Sequence, residues 1–338
     1  MKGGSMTPDG STFSGPMTVA VVGAGTIGAS WAALFLARGL TVRISDPDPA
    51  AEASARRLIT EAWPALTRLG LAPGADPASW TFHTDLREAA RGADLVQENG
   101  PEREEVKRAL FAALEEAVGD DTIIASSTSG LIMSRLQAGM RVPGRFVIGH
   151  PFNPPHLIPL VEVVGGQQTD EQAIARLTAF YTALGKRPIR LHAERPGHLA
   201  NRLQAALWRE AVNAVATGLA SVEDVDAAIA HGPGLRWALM GPNAIFDLAG
   251  GPGGMKHFLD HLGPAMESWW ADLGTPQLTE DTRRRLVEGT AEAVGGGSHA
   301  ERVEQRDRLL LALVEMLARE RGGERPGSEQ TGAEQPAT

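Results

Sequence analysis

The chain has 338 residues, 43% apolar and 22% charged, long enough for about two domains with real cores. Its 32 basic against 41 acidic side chains leave a net charge of −9, which excludes a uniform basic field for nucleic acid or an anionic membrane. With no cysteine, a disulfide scaffold, a thiolate zinc site, an iron–sulfur cluster and a cysteine nucleophile are excluded as well. Residues 1–16 are rich in Gly, Ser, Thr and Pro without an apolar centre, and read as a disordered lead rather than a signal peptide. No apolar run reaches the roughly 18 residues of a membrane span, so a soluble cytoplasmic protein is expected.

Thr18–Val22 (TVAVV) reads as a buried strand, followed by a helix over Thr26–Arg38 that Gly39 stops, and a second strand at Thr41–Ser45. A helix over Ala50–Leu69 and a Gly/Pro loop over Gly70–Pro77 come next. Further strands fall at Asp94–Glu98, Thr122–Ser126, Phe146–His150, Leu160–Val164 and Pro188–Leu191, with helices at Arg103–Val118 and Thr169–Leu184. Strands alternating with helices predict a parallel sheet covered on both faces. After Pro196-Gly197 only helical periods remain, over Leu199–Thr217, Val222–His231, Gly253–Leu262, Ala265–Leu273, Thr279–Ala293 and Ser298–Arg321. The organisation expected is therefore a disordered lead (1–16), an α/β domain (17–195), a helical domain (196–321) and a disordered, apolar-poor tail (322–338).

Gly23-Ala24-Gly25-Thr26-Ile27-Gly28 (GAGTIG) lies directly after the first strand and opens the first helix. Gly23 permits the tight turn, Gly25 lets backbone approach a pyrophosphate, and Gly28 lets helix and strand pack closely. Thr26 and Ile27 start the helix, whose N–H groups and dipole favour phosphate. Asp46, at the end of the second strand, supplies a carboxylate for adenosine ribose hydroxyls and repels a 2′-phosphate, so NAD is expected rather than NADP. The fold class is α/β: a Rossmann-type, mostly parallel sheet domain followed by an all-helical C-terminal domain.

The segment from Ala125 to Gly130 (ASSTSG) places four hydroxyls at the C-terminal end of a strand, where open parallel sheets bind ligands. Gly149–Pro155 (GHPFNPP) is an apolar strand ending in a histidine and a proline-stiffened turn. Glu162, inside the apolar run LIPLVEVV, needs a partner, and a histidine is the natural one. No metal-ligand spacing is present, and no metal is expected.

These motifs, with ENGPEREEVK at Glu98–Lys107 and RPGHLANR at Arg195–Arg202, resemble the 3-hydroxyacyl-CoA dehydrogenase superfamily over roughly residues 17–290. The resemblance implies that His150 is the catalytic histidine, which removes the hydroxyl proton as hydride leaves for NAD, and that Glu162 is its partner. It implies that Ser129 and Asn201 hydrogen-bond the substrate oxygen, and that Glu102, Lys107 and Ser127 lie on the cofactor side. Many relatives carry Asn where this chain has Ser127. His192, His198, His231, His257 and His261 are left over, with surface or packing roles expected.

Fatty-acid enzymes of this family hold CoA with a lysine-bearing excursion after the second strand. Here Pro49–Trp80 is compact, without lysine, and carries only Arg56, Arg57 and Arg68 as cations. The runs RLQAALWRE and GPGLRWALMGP resemble instead the branch acting on free small 3-hydroxy acids, the carnitine 3-dehydrogenases first and gulonate 3-dehydrogenases with lambda-crystallin next. A substrate carboxylate would suit Arg236, or Arg202 as a second candidate. A trimethylammonium head would suit aromatic faces such as Trp208, Trp237 and Phe246. The expected activity is NAD-dependent oxidation of a small 3-hydroxy acid, carnitine-like, to the 3-oxo acid. The alternatives are an L-3-hydroxyacyl-CoA dehydrogenase and a non-catalytic, crystallin-like NAD-binding protein. Helices apolar over more than one stripe predict a homodimer through the helical domain.

Overall fold

A computed structural model describes residues 17–320; the expected lead at 1–16 and tail at 322–338 lie outside the described residues. Two compact units emerge, one running to Leu199 and including the chain from Arg306 onward, the other spanning Ala200–Gln305.

The first unit is built from β1 (Thr18–Val22), α1 (Thr26–Ala37), β2 (Thr41–Ser45), α2 (Ala51–Leu69), β3 (Trp80–His83), α3 (Leu86–Ala90) and β4 (Leu95–Glu98). It continues through α4 (Glu104–Ala117), β5 (Ile123–Ser126), α5 (Met133–Leu136), β6 (Phe146–Pro151), β7 (Leu160–Gly165), α6 (Glu171–Ala183) and β8 (Arg187–Leu191). The eight strands form one sheet in the order β3-β2-β1-β4-β5-β6-β7-β8. All neighbours are parallel except β6 and β7, which run antiparallel. Strand order reverses direction around β1, which puts the loops after β1 and β4 at a topological switch point.

Burial explains the runs of β-branched residues. Val19, Ala20 and Val21 are wholly buried because helices cover both sheet faces. Helix α1 is apolar all round: Trp31, Phe35 and Leu36 are buried in one core cluster with Ile59 and Leu66 of α2 and Phe180 and Tyr181 of α6. The opposite face packs Phe111 and Leu114 of α4 against Ile124, Phe146 and Ile148. Strand β3 (WTFH) is absent from the sequence reading, since four half-exposed residues on a sheet edge carry no apolar run.

The second unit contains α7 (Ala200–Thr217), α8 (Val222–Ala230), α9 (Pro233–Leu239), α10 (Pro242–Ala249), α11 (Gly254–Asp272) and α12 (Glu280–Val294). The last helix, α13 (His299–Glu320), starts there and ends in the first unit. Sequence reading splits α11 at Gly263-Pro264, but the helix runs through Pro264. It also places all of 196–321 in the helical domain, whereas the end of α13 groups with the sheet. There Arg68 of α2 donates from Nε and Nη2 to Glu315 at 3.1 and 2.6 Å, a two-pronged ion pair. No helix among the described residues is long and apolar enough to cross a membrane.

Candidate active site

The glycine-rich turn has the shape its sequence demands. Gly23 sits at φ 92°, and a Cβ there would lie 2.7 Å from the Asn99 carbonyl oxygen. A Cβ on Gly28 would lie 1.8 Å from the Gly23 carbonyl, so neither position tolerates a side chain. A Cβ on Gly25 would meet nothing within 4 Å, so backbone there faces open space. Helix α1 begins with Gly25 as N-cap, has no side-chain cap and carries no acidic residue in its first turn. Its first N–H groups, beside the exposed Thr26, therefore lack a carboxylate that would compete with phosphate. Asp46 follows β2 and its Oδ2 accepts the Ala24 N–H at 3.0 Å, which fixes the carboxylate against the same turn. These residues fit a dinucleotide: a cradle without side chains, an uncapped helix start and, after β2, a carboxylate of the kind that accepts ribose hydroxyls.

Beside this turn lies a buried polar cluster at the ends of β4 and β5. Glu98, with no exposed surface, accepts the Lys107 ammonium at 2.8 and 3.0 Å and the Ser126 hydroxyl at 2.5 Å. Lys107 also donates to the Gly100 carbonyl at 3.0 Å, so it braces the Glu98–Glu102 turn from beneath. Ser127 has its hydroxyl fully engaged: it accepts from Trp31 Nε1 (3.3 Å) and Gln97 Nε2 (2.9 Å) and donates to Asn99 Oδ1 (2.7 Å). A hydroxyl has one proton and two lone pairs, so none is spare for a cofactor. Gln97 is in turn held by the Tyr181 hydroxyl, which donates to its Oε1 at 2.7 Å; burial pushes the Tyr181 pKa above its ordinary value. Sequence reasoning misses Gln97, Trp31 and Tyr181 because they come from three separated elements.

Glu102 organises the loop after β5. Its Oε1 accepts from Thr128 Oγ1 (2.7 Å) and from the N–H groups of Ser129 and Gly130 (2.9 Å each), and from Ser129 Oγ at 3.2 Å. The carboxylate thus sets the direction of the exposed Ser129.

His150 and Glu162 meet because β6 and β7 are antiparallel and in register, His150 directly opposite Glu162. Their side chains share one sheet face, with His150 Nδ1 2.8 Å from Glu162 Oε2. Glu162 is wholly buried and His150 is 5% exposed. The carboxylate can only accept, so Nδ1 carries the proton and Nε2 is left with a lone pair. Glu162 Oε1 accepts the Leu199 N–H at 2.9 Å, which fixes the carboxylate in turn. The Phe152 ring stands edge-on at 5.2 Å and the His198 ring lies at 5.3 Å. A base with a carboxylate behind it, and hydroxyls on a neighbouring loop, is equipped to take a proton from an alcohol.

The remaining candidates belong to the second unit. Asn201, half-buried, and Arg202 and Trp208, exposed, are on α7; Arg236 and Trp237 are exposed neighbours on the short α9. Phe246 on α10 stacks on Phe258 at 4.6 Å, a packing contact within that unit.

Comparison with known proteins gives matches along nearly the whole described chain. Residues 18–194 match the 3-hydroxyacyl-CoA dehydrogenase NAD binding domain, and residues 197–284 match the 3-hydroxyacyl-CoA dehydrogenase C-terminal domain. An L-carnitine dehydrogenase of Nocardiopsis dassonvillei is 50% identical over 315 residues, covering 92% of this chain and 96% of that protein. An L-carnitine dehydrogenase of Streptomyces coelicolor is 50% identical over 301 residues, covering 89% and 95%. Among solved structures, an NAD+-dependent dismutase, 5-formyl-3-hydroxy-2-methylpyridine 4-carboxylic acid 5-dehydrogenase, superposes with a TM-score of 0.79. It is 32% identical and the match covers 91% of this chain and all of that one.

Proposed function

The chain belongs to the 3-hydroxyacyl-CoA dehydrogenase family, and from that premise we propose that its substrate is L-carnitine, oxidised at the 3-hydroxyl to the 3-oxo acid. That it is an NAD-dependent oxidoreductase of a 3-hydroxy acid follows from the family and from half-identical relatives. The single observation that carries the chemistry is the His150–Glu162 pair at 2.8 Å. His150 Nε2 takes the proton as the substrate O–H bond breaks, and the carbonyl forms as the C–H electron pair departs. NAD, when bound at the Gly23–Gly28 turn and Asp46, supplies the acceptor for that hydride. Glu162 keeps the proton on Nδ1 and stabilises the imidazolium that results. Ser129 and Asn201 are the proposed donors to the substrate oxygen, where charge develops.

The carnitine reading rests on the two relatives and on where the cations of α2 go. Arg56 pairs with Glu52 at 3.0 Å, Arg57 with Glu61 at 3.1 Å, and Arg68 with Glu315. Each of the three arginines that could grip CoA phosphates thus already has a carboxylate, which favours a free acid over a thioester. Arg236 or Arg202 would hold the carboxylate, and exposed Trp208 and Trp237, with Phe246, offer aromatic surface for a quaternary ammonium. We place the protein in the cytoplasm, with its NAD pool, as a homodimer joined through the helical unit. The dimer is supported by Leu203, Leu207 and Trp208, large apolar side chains left exposed on α7.

A substrate panel tests this: L-carnitine, L-gulonate, 3-hydroxybutyrate and 3-hydroxybutyryl-CoA with NAD, followed by NADH absorbance. L-Carnitine is expected to give the highest kcat/KM; preference for the thioester would overturn the substrate assignment. NAD binding without turnover of any of the four would favour the crystallin-like alternative. His150→Ala should lower kcat by about 10²–10⁴-fold while NAD affinity holds. An active variant would remove His150 from its role.

A further inference from the structure

His198 is the leftover histidine that the structure brings to the site. Pro196 and Gly197 occupy the middle of a tight turn in which the His198 N–H donates to the Arg195 carbonyl at 3.0 Å. His198 itself sits at φ 50°, the one non-glycine residue with positive φ among the described residues. A side chain with a Cβ is strained there, and such strain persists only where surrounding contacts over-determine it. Here the contacts are on both sides. Nε2 of His198 lies 3.0 Å from the Thr128 carbonyl oxygen, and the next N–H, of Leu199, donates to Glu162 Oε1 at 2.9 Å. The ring is 2% exposed and 5.3 Å from that of His150, and its Nδ1 is buried without a hydrogen-bond partner.

We infer that His198 is a positioning residue for the proton transfer: it ties the Thr128–Ser129 loop to the His150–Glu162 pair, and by remaining neutral it reserves the proton for His150. The inference rests on the dehydrogenase reading of His150 as base. The two rings are wired in opposite senses. His150 turns an N–H toward a carboxylate, so a second proton on that ring forms a cation with a counter-charge in contact. His198 donates its N–H to a carbonyl, which fixes the Nε2–H tautomer and leaves Nδ1 as a buried lone pair. Protonating Nδ1 would create a buried N–H without an acceptor, beside a ring that becomes cationic in turnover.

The facing charges agree. Burial is the main influence and holds His198 below the usual imidazole range; the Thr128 carbonyl acts in the opposite sense. His150 on β6 opposes a second cation, while Glu162 on β7 and Glu102 before α4 favour one, without reversing the direction. A phenylalanine would fill the same space and leave the Thr128 carbonyl without its donor. The loop that carries Ser129 would then lose its tie to the segment that also holds Glu162, keeping its bonds to Glu102.

The test has one arm that needs no substrate. Ring ¹⁵N spectra of the full-length protein with NAD, assigned with His198→Gln, should find His198 as the neutral Nε2–H tautomer, and still neutral in the pH range where an ordinary imidazole takes up its proton. Protonation of His198 within that range, or an Nδ1–H tautomer, would overturn the inference even if the substrate assignment fails. In the kinetic arm, His198→Phe should lower kcat about tenfold, the worth of one hydrogen bond to a positioned group, with NAD affinity within about twofold. His198→Gln, whose side-chain nitrogen reaches the place of Nε2, should restore kcat to within about threefold of the parent. Unchanged kcat in His198→Phe, or an equal loss in a folded His198→Gln, would reduce His198 to a packing residue.

Discussion

The two units of this chain handle their interiors differently. In the α/β unit, the buried polar cluster at the ends of β4 and β5 is wired throughout: Glu98 receives Lys107 and Ser126, Ser127 uses all three of its bonding positions, and Gln97 is held by Tyr181. His198 Nδ1 and Arg145 Nε are the buried side-chain atoms left without a partner among the described residues. Apolar residues there vanish from solvent, because a parallel sheet with helices on both faces has two interiors. The helical unit buries Val212, Ala214, Val215, Ile245 and Phe258, yet leaves Leu203, Trp208, Leu259, Trp269 and Trp270 more than half exposed. A region that holds itself together can afford to carry the chemistry. A region that shows apolar side chains to water is a surface the proposed dimer would cover.

Three substitutions break or sharpen that contrast. Lys107→Met should cost the most stability, about 3–5 kcal/mol, because it leaves Glu98 as an uncompensated charge with no route to water. Urea unfolding reads this directly; a loss below about 1 kcal/mol would mean that the α/β unit does not depend on its polar wiring.

Lys186 comes second. Its ammonium donates to the carbonyls of Pro155 and Ile158 and lies 5.4 Å from the Trp31 ring centroid, holding the β6–β7 loop that follows His150. Burial, with Arg38 nearby, pushes its pKa down to about 7. Between that value and the ordinary lysine value the unfolded chain binds the extra proton, so stability should rise with pH through this window. The stability difference between the parent and Lys186→Met should therefore shift in the parent's favour by about 2 kcal/mol from pH 7 to pH 9. A pH-independent difference would show that the ammonium stays charged throughout.

The smallest effect on stability belongs to the helical unit. Leu203→Glu replaces an exposed side chain and should change monomer stability by about 0.5 kcal/mol or less. In the proposed dimer the same substitution should shift sedimentation toward monomer. An unchanged dimer would move the interface away from this part of α7.

Much of the α/β unit was legible as sequence. Runs such as TVAVV and the GAGTIG turn combine local period with local backbone geometry, and both are decided within a few residues. Edge strand β3 was not legible, because its pairing with β2 depends on a neighbour rather than on its own four residues. The unbroken α11 was misread at Pro264, since proline marks a break only where the preceding turn cannot adapt. Ser127 reads from sequence as a residue facing the cofactor; its hydroxyl is spent on Trp31, Gln97 and Asn99, which no local pattern reveals.

The sequence by itself determined the class of the molecule: a dinucleotide turn, a carboxylate at the end of the second strand, and a histidine and a glutamate each conspicuous in an apolar strand. Tertiary structure decided how those groups meet. An antiparallel pairing of β6 with β7 sets His150 opposite Glu162, and a left-handed turn at the end of the same unit delivers His198 to their side. Periodicity along a chain specifies which face a residue occupies, while register across strands and the path of a turn depend on partners distant in sequence.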